Sequence, residues 1–170
     1  MAMSENNMVV IIDRREQRPF FIDKIGDINF PGLSFEWQGL KTGDYSIKSM
    51  SDPNIYQHSI CLERKSLSDL FGSTGRGRVR LEKEFIRMAD FDYAALIIEA
   101  DYKTIFKNPP ELSMMKPKSV FRTIIAFCQR YNVQCFPCPD RSFAEQTTYI
   151  LLKRFFDDRQ KGGKLEFCKL

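Results

Sequence analysis

The amino-acid sequence predicts one α/β domain, in which a central mixed β-sheet is flanked by helices. Apolar runs rich in Val and Ile alternate with longer amphipathic stretches, as strands alternate with helices in this class. Turn residues alone separate the early strands, whereas helices separate the later ones, so antiparallel and parallel pairs should share the sheet. The chain has 170 residues, 43% hydrophobic content and fifteen Phe, which suits one domain with a packed core.

The first part of the chain is predicted to supply strands joined by turns. Met8 to Ile12 is a continuous apolar run that ends at Asp13, as expected of a buried strand with a carboxylate at its tip. Three consecutive antiparallel strands should follow, at Leu33 to Leu40, Asp44 to Ile47 and Ile60 to Lys65. The polar segment from Ser49 to Ser59 predicts the hairpin loop between the last two strands.

Helices and buried strands are predicted to alternate in the second part of the chain. Helical spacing of apolar residues covers Arg78 to Ala89, Pro117 to Tyr131 and Asp140 to Arg159. In the first of these helices the stripe that faces the core is predicted to hold Val79, Glu82, Phe85, Ile86 and Ala89. Strands are predicted at Tyr93 to Glu99 and Val133 to Pro137, and loops at Gly72 to Gly77 and Asp101 to Pro110. The domain should occupy residues 8–160, between a flexible N-terminus, residues 1–7, and a C-terminal tail, residues 161–170.

The composition argues against membrane and secreted classes. No apolar run approaches the ~20 residues that a membrane span requires. The N-terminus lacks the basic and apolar regions of a secretory signal, so we expect an intracellular protein, cytoplasmic or nuclear. Five cysteines are an odd number, and without a secretory context they predict no disulfide framework.

Two carboxylates and an ammonium group are predicted to converge at the hairpin. Glu63 and Lys65 should point to one face of their strand and Arg64 to the other, because successive side chains alternate. The hairpin would bring Asp44 alongside Glu63 and Lys65. Carboxylate oxygens bind hard cations such as Mg²⁺ or Mn²⁺, and a neighbouring lysine stabilises charge that develops on phosphate. These groups are the ones that metal-dependent phosphodiester hydrolysis requires.

A plainer interpretation makes Glu63 and Lys65 a solvated pair on an edge strand. The surrounding residues favour the catalytic interpretation. Gly43-Asp44, followed by Glu63-Arg64-Lys65 and then Asp69, resembles the signature of the XPF/Hef family of structure-specific endonucleases, which belongs to the PD-(D/E)XK nucleases. The first-strand segment Ile12-Asp13-Arg14-Arg15-Glu16 is similar to the opening motif of that family.

The resemblance implies a restriction-endonuclease-like fold and an endonuclease that cuts branched, flapped or duplex DNA in repair or recombination. Asp44, Glu63 and Lys65 would be catalytic. Asp44 and Glu63 would hold Mg²⁺ or Mn²⁺, with Asp13 and Glu16 in support. The family also pairs its subunits, so we expect a homodimer or a heterodimer with a related chain. The tandem helix-hairpin-helix module that many relatives carry is not present, which leaves the preferred DNA structure open.

Arginines are predicted to contact the DNA or support the acids. Arg15 and Arg64 lie within the two motifs, and Arg76, Arg78 and Arg80 crowd a segment rich in positive charge, which suits a polyanionic partner. A solvated helix face explains that segment equally simply. Asp69 has a structural explanation first, because Ser66 with an acid three residues later predicts a helix capping box.

Three further interpretations stay open. The chain could be a non-cleaving DNA-binding or scaffolding subunit, although such subunits lose the acids or the lysine and this chain keeps them. Cys135 and Cys138 could form a redox or zinc site, but His58 is the single histidine of the chain and no second cysteine pair matches. The broad apolar girth of Asp140 to Arg159, including Phe155 and Phe156, predicts a surface for a second subunit.

Overall fold

The structure is a computed structural model that describes residues 8–51 and 59–160. Its strands are β1 Met8–Asp13, β2 Phe35–Gln38, β3 Tyr45–Ser49, β4 Ile60–Lys65, β5 Tyr93–Ile98 and β6 Gln134–Pro137. Its helices are α1 Leu67–Thr74, α2 Arg78–Met88, α3 Tyr102–Lys107, α4 Pro117–Tyr131 and α5 Arg141–Gln160. The predictions for residues 1–7 and 161–170, and for the middle of the hairpin loop, lie outside the described residues.

The six strands form one mixed sheet in the order β2-β1-β3-β4-β5-β6. β1 pairs with β2 in parallel and with β3 in antiparallel orientation, and β3 pairs antiparallel with β4. The pairs β4–β5 and β5–β6 are parallel. The predicted α/β domain with a central mixed sheet between helices is therefore confirmed.

The predicted run of three consecutive antiparallel strands is wrong, because β2 does not pair with β3. β1 lies between them, and β2 is the edge strand of the sheet. All six residues of β1 are buried, so this strand needs a neighbour on each side and a layer on each face. β2, whose residues are half-buried or exposed, is better suited to the edge.

Two apolar layers cover the sheet. On one face α5 and the segment between β1 and β2 pack against alternate strand residues, among them Ile12, Tyr45 and Leu62. We call this the α5 face. On the other face α1, α2 and α4 pack against residues such as Cys61 and Leu96, and we call it the α2 face. Neighbouring residues of β4 therefore face different surroundings, which matters for the Glu63-Arg64-Lys65 segment.

Two segments predicted as loops are partly helical. α1 continues through Gly72 to Thr74, and the Thr74 hydroxyl donates to the Leu70 carbonyl, so only a short turn separates α1 from α2. α3 lies within the segment predicted as irregular, and Asp101 caps it by accepting from the Thr104 N–H at 2.7 Å. A single short helix with its own cap leaves little periodic signal in a sequence.

The apolar residues of α5 are covered within the chain to a greater extent than predicted. Phe155 and Phe156 are each 4% exposed and belong to the core of the α5 face. Phe143 and Ile150 are the exposed ones, at 54% and 62%. The sheet and the segment before β2 thus bury most of the apolar surface of α5 that the sequence assigned to a second subunit. None of the helices in the described part of the chain is long and apolar enough to span a membrane.

Candidate active site

A polar cleft of about 670 Å³ opens where β1, β3 and β4 approach α1 and α2. Every residue of the Gly43-Asp44, Glu63-Arg64-Lys65 and Asp69 pattern contributes to its lining, as do Asp13, Arg15 and Glu16. The two predicted motifs therefore meet in one place, although about thirty residues separate them along the chain. Long-range strand pairing is what joins them, since β3 lies between β1 and β4.

β4 divides the Glu63-Arg64-Lys65 segment between the two faces of the sheet, as the sequence predicted. Glu63 and Lys65 share the α2 face with Cys61, whereas Arg64 shares the α5 face with Leu62. The Lys65 ammonium group contacts Glu63 directly and lies 3.4 Å from Oε2 of Glu84 on α2. A carboxylate from a helix thereby joins those from the strands.

Gly43 and the backbone of Asp44 fix where the Asp44 carboxylate lies. Gly43 has φ +79°, and a Cβ at this position would lie 2.5 Å from Cys61 Sγ and 3.0 Å from the Leu62 carbonyl oxygen. Only glycine satisfies both conditions without displacing β4. The next residue, Asp44, donates its N–H to the Leu62 carbonyl, and its Oδ2 accepts from the Arg64 N–H at 2.8 Å.

The acids of the α2 face repel one another at close range. Burial, with the nearby charges of Glu16 and Glu84, raises the pKa of Asp44 to about 6, although the Arg64 N–H and Lys65 oppose the shift. Burial also raises the pKa of Glu63 well above its usual range, with Asp44 and Glu84 adding to the effect and Lys65 opposing it. We call Asp44, Glu63, Lys65 and Glu84 the cleft cluster. Lys65 contacts two of the three acids, Glu63 and Glu84, so the carboxylates of the cluster outnumber its ammonium group.

Asp13 is committed to its neighbours. Its Oδ1 accepts from the backbone and side chain of Arg15, and its Oδ2 accepts from the Arg15 guanidinium and from the Leu40 N–H at 2.6 Å. Burial alone would raise the pKa of Asp13, but the hydrogen bonds from Arg15 and Leu40 outweigh it and lower the pKa. Asp13 and Arg15 therefore fasten the end of β1 to the segment after β2.

A second charged cluster lies on the α5 face directly behind the first. Arg64 donates to both carboxylate oxygens of Glu99, at 2.8 and 3.4 Å, and lies 3.4 Å from Glu16. Arg141 of α5 donates to the same Glu99 at 2.8 Å, and both guanidinium groups lie over the Phe20 ring. We call Arg64, Glu16, Glu99 and Arg141 the Arg64 network. Its two acids and two arginines balance.

Ser66 caps α1 as the sequence predicted, and Asp69 bonds to the Ser66 hydroxyl rather than to its backbone N–H. The Ser66 hydroxyl accepts from the Asp69 N–H at 3.2 Å and donates to Asp69 Oδ2 at 2.6 Å, so the side chain closes the first turn of α1. Asp69 also lines the cleft, which leaves its chemical role open to experiment. The architectural interpretation made from the sequence agrees with this geometry.

The three arginines predicted to contact DNA lie in different places. Arg80 lines the cleft. Arg76 is exposed on the turn between α1 and α2 and does not line it. Arg78 packs onto α4 instead, where its guanidinium donates to Thr123 Oγ1 at 2.7 Å and lies 5.3 Å from the centre of the Phe127 ring. Arg76 precedes α2, and Arg78 and Arg80, two positions apart on that helix, point in different directions. The three arginines therefore do not form one surface.

Sequence reasoning missed Glu84, Glu99 and Arg141. Glu84 was detectable in principle, because Leu81, Phe85 and Met88 form the buried stripe of α2, and the residues just before them are Arg80, Glu84 and Arg87. All three of those charged residues line the cleft. The prediction placed Val79 and Ile86 in the buried stripe instead, and both are exposed.

The cysteines that suggested a redox or zinc site lie on opposite faces. Cys138 belongs to the core of the α5 face, and Cys135 packs on the α2 face, where its thiol shares a hydrogen bond with Cys128. Positions three apart on an extended segment point away from each other, so Cys135 and Cys138 cannot chelate one ion together. Within the described residues no group of three or more His, Cys, Asp or Glu side chains could hold a metal ion.

The cleft cluster nevertheless fits a hard divalent cation that takes few protein ligands. Mg²⁺ commonly uses one or two carboxylates and completes its shell with water and substrate phosphates. Asp44 and Glu63 supply two such carboxylates on one face. The pKa of each is raised, chiefly because the carboxylates are buried, and a bound cation would oppose that shift. Asp13 and Glu16 already accept hydrogen bonds or ion pairs from Arg15, Leu40, Arg18 and Arg64.

Comparison with known proteins identifies similar chains. A model of the ERCC4 domain matches residues 12–151. The structure resembles that of XPF from Aeropyrum pernix, with a TM-score of 0.58 and 21% identity, over 91% of this chain and 69% of that chain. It also resembles XPF from Aeropyrum pernix in complex with DNA, with a TM-score of 0.55 and 18% identity, over 95% of this chain and 68% of that chain. No curated protein matches the chain in sequence.

Proposed function

Because the chain belongs to the ERCC4 domain family, we propose that it is an endonuclease that hydrolyses phosphodiester bonds in DNA with the help of Mg²⁺ or Mn²⁺. Family membership supports a DNA nuclease-type function, and one similar protein, XPF from Aeropyrum pernix, was solved in complex with DNA. The substrate is proposed to be branched, flapped or duplex DNA, and the process repair or recombination.

The cleft cluster is the observation that carries the proposal. Asp44 directly precedes β3 and Glu63 lies in β4, which pairs antiparallel with β3, and both acids line an open polar cleft with Lys65. Three acids with one ammonium group among them exceed what a simple ion pair needs, and buried carboxylates are costly without a cationic partner. A divalent cation would supply that partner, and its remaining coordination positions would take water and a substrate phosphate.

The proposed mechanism assigns a task to each side chain. Asp44 and Glu63 would hold the cation, which supplies Lewis-acid stabilisation of phosphate charge and activates water for attack in line. Lys65 would stabilise the negative charge that develops on the phosphate oxygens. Arg64 fixes Asp44 by donating its backbone N–H to that carboxylate, and its guanidinium holds Glu16 and Glu99 behind the sheet. Arg64, with Glu16 and Glu99, would thus position the proposed ligands Asp44 and Glu63 and would not contact the substrate.

A cleavage panel tests the proposal. Single-stranded, duplex, flap, fork and four-way DNA are incubated with the wild-type chain and with Mg²⁺, Mn²⁺ or a chelator. We expect cleavage that needs the cation, and its loss in Asp44→Asn, Glu63→Gln and Lys65→Ala. Each substitution should reduce the rate more than about 100-fold, because even groups that only support metal ligands are worth 10–100-fold.

Glu82→Gln is the matched control for this panel. Glu82 lies on α2, as Glu84 does, but it accepts hydrogen bonds from Arg130 and Tyr131 outside the cleft. Its removal should leave cleavage unchanged. A Glu63→Gln chain that cuts DNA as fast as wild type would refute the proposed nuclease site. Unimpaired DNA binding without any cleavage by the wild type would instead favour the non-cleaving subunit.

We propose that the DNA backbone lies in the cleft, and a substitution of Arg80 tests this placement. Arg80→Ala should weaken binding to every DNA sequence alike and make the slope of log K against log salt less steep by about 0.9, the share of one phosphate contact on duplex DNA. Arg78→Ala is the internal control, since its guanidinium is engaged by Thr123 and Phe127, and it should leave the slope unchanged. Fluorescence anisotropy at several salt concentrations measures both. Equal slopes for wild type and Arg80→Ala would place the phosphates elsewhere.

We also propose that the chain pairs with a second copy or with a related chain. Phe143 and Ile150 on α5 support this, because both are apolar and exposed. Phe155 and Phe156 are buried within the chain and are not available to a partner. Sedimentation of the wild type and of Ile150→Lys tests it. A monomer at high micromolar concentration in both cases would contradict it.

A further inference from the structure

Lys65 is held by two carboxylates that come from different elements of the fold. Glu63 lies two residues away on β4, and Glu84 reaches Lys65 from α2, with 3.4 Å between Oε2 and Nζ. The Lys65 side chain is only 11% exposed, and Glu84 is 20% exposed. The contact with Glu84 is the looser of the two, at a distance that allows it to shorten.

The contact with Glu63 conflicts with the proposed role of that residue. A divalent cation on the Glu63 carboxylate would repel the ammonium group beside it and withdraw charge from the oxygen that Lys65 contacts. The hold of Glu63 on Lys65 should therefore weaken when that carboxylate is used as a ligand. A buried ammonium group without an anionic partner would be costly, so Lys65 needs a second acceptor within reach.

We infer that Glu84 is that acceptor: it is a positioning residue that takes over Lys65 from Glu63 and holds the ammonium group at the edge of the cleft, facing the phosphate. This inference rests on the proposed function. It assigns Glu84 no contact with the cation or with the DNA. Glu84 is well placed for this task, because it lies on helix α2 and lines the cleft. The two proposed ligands, Asp44 and Glu63, belong to the strand region instead.

The inference predicts that the effect of Glu84 on cation binding depends on Lys65. If Glu84 relieves Lys65, its removal leaves Lys65 bound to Glu63, where it competes with the cation. If Glu84 instead binds or attracts the cation directly, its removal weakens binding equally with or without Lys65. The two possibilities give different results in a double-mutant cycle.

The experiment measures Mn²⁺ binding to the full chain without DNA, by the electron paramagnetic resonance signal of free Mn²⁺. Four chains form the cycle: wild type, Glu84→Gln, Lys65→Met and the double variant. Asp44→Asn is measured beside them as the reference for a chain that lacks a proposed ligand. Met keeps the length of the buried side chain, and far-UV circular dichroism with a thermal midpoint checks that each chain folds. Glu82→Gln, on the same helix but paired with Arg130, controls for a general loss of negative charge.

We expect Glu84→Gln to weaken Mn²⁺ binding in the chain with Lys65 by about tenfold more than in the Lys65→Met background, the lower end of the scale for one charge-assisted hydrogen bond. Equal losses in both backgrounds would overturn the inference and make Glu84 act on the cation itself. No loss in either background would also overturn it. If the wild type binds Mn²⁺ no better than Asp44→Asn does, the proposed function fails, and this separates the two failures.

Discussion

The cleft cluster and the Arg64 network lie back to back on the same strand, yet they differ in their charge balance. The Arg64 network matches two acids with two arginines and packs both guanidinium groups over Phe20. The cleft cluster sets three acids against one ammonium group in an open cleft. We expect the balanced network to hold the strands in place, and we propose that the unbalanced cluster is the one that binds a cation.

The largest expected effect comes from breaking the balanced side. Arg64→Ala would leave Glu16 and Glu99 without their shared partner behind the sheet, and we expect a loss of about 3–5 kcal/mol in the free energy of unfolding, as for other broken buried pairs. Urea denaturation measures it. The matched control is Arg130→Ala, whose partner Glu82 is on the surface, and its effect should be much smaller. Equal losses would mean that the Arg64 network is no more structural than a surface pair.

The pH dependence of stability tests the unbalanced side. The pKa of Asp44 is raised to about 6 in the folded chain, above its usual value of 3.8, so the folded state binds a proton that the unfolded state has lost. Stability from this source is present below pH 4 and is lost as the pH rises through about 6. Without divalent cations, wild type should therefore lose up to about 3 kcal/mol relative to Asp44→Asn between pH 4 and 7. If the free energy of unfolding falls with pH equally in the two chains, ionisation of Asp44 does not destabilise the fold.

A pair of isosteric substitutions gives a smaller effect but a sharper contrast. Glu99→Gln removes the charge that Arg64 and Arg141 share and should cost about 2 kcal/mol, the scale of hydrogen bonds to charged groups. Glu63→Gln relieves the repulsion within the cleft cluster and should stabilise the cation-free chain at pH 7. Thermal or denaturant unfolding of both variants, at the same ionic strength, measures the signs. Two changes of the same sign would abolish the distinction between the clusters.

The smallest effect is expected at Asp69. Asp69→Ala removes one half of the capping box at the start of α1 and should cost about 1 kcal/mol, with much of the cleavage rate retained. Ser66→Ala is the control that removes the other half of the same box. A loss of cleavage in Asp69→Ala but not in Ser66→Ala would move Asp69 from the architecture of α1 into the chemistry of the cleft.

Local patterns predicted the parts of the site that depend on local geometry. Strand alternation separated Arg64 from Glu63 and Lys65, and the spacing of Ser66 and Asp69 predicted the cap. Insertion of β1 between β2 and β3 depends on pairing between distant segments, which no local pattern records. The rotation of α2 about its axis was misjudged as well. That rotation decides that Arg80 and Glu84 enter the cleft while Arg78 packs on α4.

Gly43 has a consequence for how precisely the two proposed ligands are spaced. Its backbone passes so close to Cys61 and Leu62 that a single methyl group would have to push the β3 and β4 ends apart. Asp44 follows on one of these ends, and Glu63 lies on the other. The absent side chain therefore lets the backbone at Gly43 pack against Cys61 and Leu62 at van der Waals contact, and this spacing does not depend on a bound ion. Selectivity for the radius of a cation would then be built into the backbone before the cation arrives.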